Sequence, residues 1–194
     1  MYSNRKEFKR LSGGYPRFVD GHQHVHIVPK VVSLLIDTLA THFPGAVERF
    51  RLPHMHAISQ GPPPLGAGER FRAAVSQHAL EARSLVERAF PQSPRLFVGL
   101  TSMDALASTE RLVLTILSEA AHYLSSSSPL CPFSSSLPIP VEWMVHPSFL
   151  SSAPHSDDFS RHSNRLHEHH LLSSDSPHLL ALCSLHAIII NKHL

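Results

Sequence analysis

Three short segments of this chain run straight into a proline: residues 17–28 before Pro29, residues 49–52 before Pro53, and residues 141–146 before Pro147. The residue ahead of a proline is pushed out of helical backbone towards extended, and proline itself cannot donate to a sheet ladder. Each segment therefore reads as a short strand with a fixed end, and the apolar run at residues 95–100 reads as another. Between them lie stretches with apolar residues at helical spacing. Residues 31–42 place Val31, Leu34, Leu35 and Leu39 on one side. Residues 68–90 carry Phe71, Val75, Ala82, Val86 and Ala89 as one stripe. A third helix, with Thr101 and Asp104 as a capping box, is predicted to run to about Leu124 with Leu112, Val113, Ile116, Leu117 and Ala120 inward. Residues 157–172 are predicted to be helical, and residues 179–190 to form a final strand or short helix. Such alternation implies parallel strand–helix units and an α/β class.

The interruptions are as informative. Residues 60–68 hold three prolines and three glycines and must be a loop. Residues 125–140 are dense in Ser and Pro and read as an insertion without regular structure. The 194 residues suffice for one domain with a sizeable core, 1–194, but a closed eight-stranded β/α barrel usually takes more chain.

Composition narrows the function. A formal charge of +2 gives no electrostatic basis for nucleic-acid or membrane-surface binding. Two cysteines, Cys131 and Cys183, make no disulfide framework. No apolar stretch is long enough to span a bilayer, and the first residues lack the apolar run of a signal peptide. A soluble, reducing, cytoplasmic setting is expected.

The chemistry concentrates in Asp20-Gly21-His22-Gln23-His24-Val25-His26. In an extended segment alternate side chains share a face, so Asp20, His22, His24 and His26 would line one side. Imidazoles and carboxylates suit zinc, manganese, iron and similar divalent ions, and the same groups move protons. A polar strand edge in a histidine-rich chain is the bland alternative. His146, at a strand end just before Pro147, would occupy the same rim as the His22 cluster. His54 and His56 after Pro53, and His167, His169 and His170 on a helix, are weaker candidates. Asp157-Asp158 reads as a helix N-cap. No Gly-rich phosphate loop, nucleophile elbow or CxxC is present.

The run from Asp20 to Pro29 resembles the signature of the YdjC-like carbohydrate deacetylases, in particular the animal chitooligosaccharide deacetylase homologues. Other pieces follow in that family's order: Arg49-Phe50-Arg51-Leu52-Pro53, Phe97-Val98-Gly99-Leu100, Glu142-Trp143-Met144-Val145-His146-Pro147, Arg165-Leu166-His167-Glu168 and Leu182-Cys183-Ser184-Leu185. The resemblance implies a metal-dependent hydrolase on a TIM-barrel-like (β/α) fold, removing acetyl groups from N-acetylated amino sugars. It implies His22 as a metal ligand and His146 as a histidine near the reacting carbonyl. Asp20, His24 and His26 would orient imidazoles or shape the pocket. The metal would be magnesium, with zinc or manganese as alternatives. Such an ion would activate a water and polarise the acetamide.

The chain also departs from that pattern. In the family, an opening strand ending in Asp-Asp-Phe-Gly supplies the base and one metal-binding carboxylate and a later Gly-Leu-His supplies another ligand, and neither occurs ahead of Pro16. Asp157-Asp158-Phe159 imitates the first motif in the wrong part of the chain. The expectation is therefore a partial (β/α) barrel with parallel strands, its N-terminal strands missing, resembling the C-terminal portion of the family fold and inactive alone. Two alternatives stand beside it. One is a fold remnant that binds a metal or a partner without turnover. The other is an amidohydrolase-type barrel, which also opens with Asp-x-His-x-His.

Overall fold

Pro29 starts a helix as well as ending a strand. At the first helical position its missing N–H would have had no intrahelical partner, and its fixed φ suits the helix. The carbonyl of Val28 then accepts the N–H groups of Val31 and Val32 at 2.7 and 2.9 Å. The computed structural model describes residues 9–61, 63, 66–101, 109–126, 139, 141–145, 166, 168 and 169. Its elements run β1 (Phe18–Val19), a 3-10 turn (His22–Ile27), α1 (Pro29–His42), β2 (Arg49–Phe50), α2 (His56–Ser59), α3 (Ala67–Ala89), β3 (Leu96–Val98), α4 (Thr109–Ser126) and β4 (Val141–Trp143). The chain divides into two compact units, Met1–His54 with Gly61–Pro94, and Met55–Gln60 with Arg95–Leu194.

In the first unit β1 and β2 pair in parallel, Phe18 opposite Arg49 and Val19 opposite Phe50. Helix α1 makes the crossover between them. Helices α1 and α3 pack on each other and on the 3-10 turn. Val32, Ile36 and Leu39 from α1 and Val75, Ala79, Ala82 and Val86 from α3 are buried with Ile27, Val47, Phe50, Leu52 and Phe90. Phe50 is fully buried. Its ring stacks on Phe90 at 5.4 Å, and its N–H donates to Ser93 Oγ at 2.9 Å. A buried serine thus satisfies an amide of this short strand. At α3, the Gly66 N–H donates to Glu69 Oε2 at 3.1 Å.

In the second unit β3 and β4 pair in parallel, Leu96 opposite Val141 through Val98 opposite Trp143. Helix α4 lies between them in sequence and packs on β3. Val98 and Leu112 form a core with Ile116 and Trp143 against them. Gly99 has φ +146°, and a Cβ there would meet the Met144 Cβ at 2.7 Å and its carbonyl oxygen at 2.9 Å. Glycine is required at that contact.

Both units are strand–helix–strand crossovers with parallel strands, the α/β character that the alternation predicts. The described strands make two two-stranded sheets, and among the described residues no closed barrel is present.

Several expectations are corrected. The segment 17–28 is not one strand: β1 ends at Val19. Gln23 (φ 50°) and His24 (φ 58°) are left-handed, and the His24 N–H donates to the Gly21 carbonyl at 2.8 Å. That bond closes a turn which extended backbone cannot make. On α1 the apolar residues cover two overlapping stripes, and the one through Val32, Ile36 and Leu39 wins. Leu34 is 68% exposed. On α3 the buried stripe omits Phe71 and Ala89, both exposed. The helix predicted from Thr101 is described from Thr109; Asp104 lies outside the described residues. So do His146, the Asp157-Asp158-Phe159 motif, Cys131, Cys183 and nearly all of residues 125–140.

Phe50→Ala removes the ring that Phe90 and the turn pack against. It should cost about 3–5 kcal/mol, measured as a lower midpoint in urea denaturation. A loss below about 1 kcal/mol would contradict this account of the core.

Candidate functional site: a histidine turn at a strand end

β1 delivers Asp20 and Gly21 to the start of the turn, and β2 delivers Arg51 beside them. The Arg51 N–H donates to the Val19 carbonyl at 3.0 Å, extending the parallel pairing by one residue. The Arg51 guanidinium forms an ion pair with the Asp20 carboxylate and lies 5.5 Å from the centre of the Phe18 ring.

His26 is 2% exposed, and both of its ring nitrogens are engaged. Nδ1 accepts the Gly21 N–H at 2.9 Å, and Nε2 lies 3.0 Å from the Arg51 carbonyl oxygen. A carbonyl only accepts and a backbone N–H only donates, so the proton sits on Nε2 and the ring is neutral. Burial, first, pulls its pKa below the ordinary 6.5, opposed by the hydrogen bond to the Arg51 carbonyl and the nearby Asp20 charge. Asp20 Oδ1 stands 3.8 Å from Nδ1, beyond a hydrogen bond. His26 packs on Phe50 at 5.1 Å between ring centres.

The three histidines of the motif therefore part company. His26 is a structural core residue, and His24 is buried with its ring 6.2 Å from that of His26. His22 is exposed at the start of the turn, and its ring is the one open to a ligand. The shared ligand face expected of an extended strand is absent, because a 3-10 turn with two left-handed residues does not alternate its side chains.

Gly21 is fixed by this packing. A Cβ on it would lie 2.9 Å from His26 Nδ1 and 3.0 Å from the His26 backbone nitrogen. Arg51, which the sequence marks only as a strand residue, is what the motif leans on. Nothing in the spacing announces a partner thirty-one residues from Asp20.

The remaining candidates fall elsewhere. The buried His54 contacts the Ser76 carbonyl oxygen at 3.2 Å and its Oγ at 3.1 Å. His56 stacks on His122 with ring centres 3.9 Å apart. His169 is half-buried and Glu168 is fully buried. His146, His167 and His170 lie outside the described residues.

Among the described residues no three His, Cys, Asp or Glu side chains converge to hold an ion. Asp20 is engaged by Arg51 and His26 by backbone groups, which leaves His22 as a single exposed donor. The described residues alone do not fit a metal centre. Nor, among the described residues, is any helix long and apolar enough to cross a membrane.

Parallel strand–helix–strand units with a histidine turn at a strand end define an α/β protein of the kind that builds its sites on strand-end loops. A family model described as YdjC-like protein matches residues 6–180, and the chain belongs to that family. A Xenopus laevis protein named carbohydrate deacetylase is 27% identical over 178 residues, covering 87% of this chain and 55% of the relative. The Danio rerio protein of the same name is 30% identical, covering 83% and 54%. The Mus musculus protein is 29% identical over 173 residues, covering 86% and 52%. The chain thus spans about half the length of the curated relatives it matches. No solved structure matches it.

Gly21→Ala should cost about 1–3 kcal/mol in urea denaturation, whereas Gln23→Gly should stabilise by about 1 kcal/mol by relieving left-handed backbone at an exposed position. The titration of His26 has a definite sign. The unfolded chain takes up a proton near the ordinary 6.5 while the folded ring resists it. Stability is therefore full above that value and falls as pH drops below it towards the folded pKa. Urea midpoints at pH 7.5 and 5.5 should show an acid-induced loss that His26→Gln reduces. An equal loss in both proteins would remove His26 as the source.

Proposed function

We propose that the chain supplies one wall of the active site of a metal-dependent carbohydrate deacetylase, acting on N-acetylated amino sugars or their oligosaccharides. The observation that carries this reading is the similarity, over most of the chain, to relatives named carbohydrate deacetylase. The histidine turn supports it. Hydrolysis of an acetamide needs a held water, a group to take its proton and an acid for the departing amine. A rigid turn presenting one exposed imidazole supplies a group of that kind, and the motif's other two rings are sequestered from substrate.

In this proposal His22 holds the divalent ion, magnesium or else zinc or manganese, together with ligands beyond those described. His146 stands near the reacting carbonyl. Asp20 and His26 keep the turn in shape. Each strand–helix–strand unit is of the kind that builds a (β/α) barrel, a reading supported by its parallel strands and helical crossover. The low net charge and sparse cysteines agree with a soluble cytoplasmic enzyme.

A non-catalytic role, binding a metal or a partner, is favoured by one observation: Asp20 and His26 are already committed to Arg51 and the backbone. That same commitment weighs against the amidohydrolase alternative, which needs a His-x-His pair free to ligate together.

Acetate release from an N-acetylglucosamine oligomer, with added magnesium, manganese or zinc, separates the readings. Turnover lost in His22→Ala supports the deacetylase. Absence of turnover with stoichiometric metal binding lost in His22→Ala supports the binding role. Turnover that His22→Ala leaves unchanged would remove His22 from the site.

A further inference from the structure

Arg51 touches the Asp20–His26 turn at both ends and through two different parts of itself. Its side chain pairs with Asp20, ahead of His22. Its backbone carbonyl accepts the proton of His26 Nε2 at 3.0 Å, behind His22. Its N–H donates to Val19, registering β2 against β1 just before the turn. The residue that follows β2 is thus bonded before, at the start of and at the end of the loop that presents His22.

The guanidinium also sets what Asp20 can do. Asp20 Oδ1 is 3.8 Å from His26 Nδ1, and Nδ1 keeps its lone pair for the Gly21 N–H at 2.9 Å. A carboxylate at that distance draws a proton onto an imidazole nitrogen unless its charge is otherwise matched. A protonated Nδ1 would face the Gly21 N–H donor to donor, and the turn would lose the bond that ties its start to the His26 ring. We propose that Arg51 is a positioning residue: by holding the Asp20 carboxylate it keeps Nδ1 of His26 free of a proton, and so keeps the turn closed with His22 outward.

The groups that bear on His26 come from two elements. Asp20, and His24 at 6.2 Å between rings, lie on its own loop. The uncharged Phe50 comes from β2 and Arg51 directly follows it. Asp20 and Arg51 are the charged side chains that act on its titration, the first upward and the second downward. Helices α1 and α3 also pack on the turn.

The service of Arg51 to His22 in turnover rests on the deacetylase reading, whereas its hold on His26 does not. The test therefore reads the imidazole directly, in the 194-residue chain. Long-range proton–nitrogen correlation spectra of His26 report which ring nitrogen carries the proton. The wild-type ring should carry it on Nε2 at pH 7, with a midpoint below the ordinary value. Arg51→Met should move the midpoint up by about one pH unit and place a proton on Nδ1. Arg51→Lys, which retains the charge, should restore the wild-type pattern, and Asp20→Asn in the Arg51→Met background should lower the midpoint again. Should Arg51→Met fail to fold, Asp20→Asn alone decides: a lower His26 midpoint supports the proposal, and an unchanged one overturns it. A folded Arg51→Met with the wild-type nitrogen pattern and midpoint also overturns it. Where the wild type turns over chitooligosaccharide, Arg51→Met should reduce kcat more than tenfold and Arg51→Lys should recover most of it. Loss of the nitrogen signature in Arg51→Met supports the role of Arg51 whether or not the wild-type chain turns over substrate.

Discussion

A neutral imidazole held between two backbone groups organises the first unit. His26 accepts from Gly21 and donates to Arg51, joining the end of β1 to the end of β2 through the base of the turn. Two consequences follow in the backbone. Residue 21 must lack a side chain, because the ring occupies the space a Cβ would need. Residues 23 and 24 must turn left-handed to bring the chain back within a few residues, a conformation that costs roughly 1–2 kcal/mol for each residue with a Cβ. A buried, doubly bonded ring is the kind of anchor that can hold such backbone in place.

The same anchor changes the meaning of the histidine motif. Three imidazoles in alternation look interchangeable on paper, yet they do three things. His26 ties strands together, His24 fills space beside it, and His22 faces outward. A protein that commits two rings to fix the position of a third presents that ring in rigid surroundings. Preorganisation of that kind is what a site needs if it is to act without rearranging in each cycle.

How much of this the sequence discloses depends on the range of the interaction. Prolines and helical spacing locate α1, α3, β2 and β3 to within a few residues, because they act through local backbone preference. The strand assigned across residues 17–28 fails past Val19, since the alternation of Asp20, His22, His24 and His26 imitates strand periodicity while a contact from Arg51 makes a turn. The face of α1 is misread for a related reason: with apolar residues at 31, 32, 34, 35, 36 and 39, only the neighbouring α3 and the turn decide which are covered. Of the candidate site, the segment is legible; that His22 is the exposed ring of the three is not, because the alternation places all three on one face. The role of Arg51 is not, because pairing across strands leaves no trace in spacing.

The four-residue helix α2 carries a consequence of another kind. The N–H groups of His56 and Ala57 donate to the two carboxylate oxygens of Glu119 at 2.7 and 3.0 Å, across separations of 63 and 62 residues. So short a helix has no cooperative stability of its own. Its first turn is instead held by a buried carboxylate that arrives with α4. Closing a loop of that length must come before the reward of the contact, so this turn belongs to the late, topology-limited part of folding. The exchange of those two amides with solvent would then register the docking of α4 from within a segment that α4 follows by some fifty residues of chain.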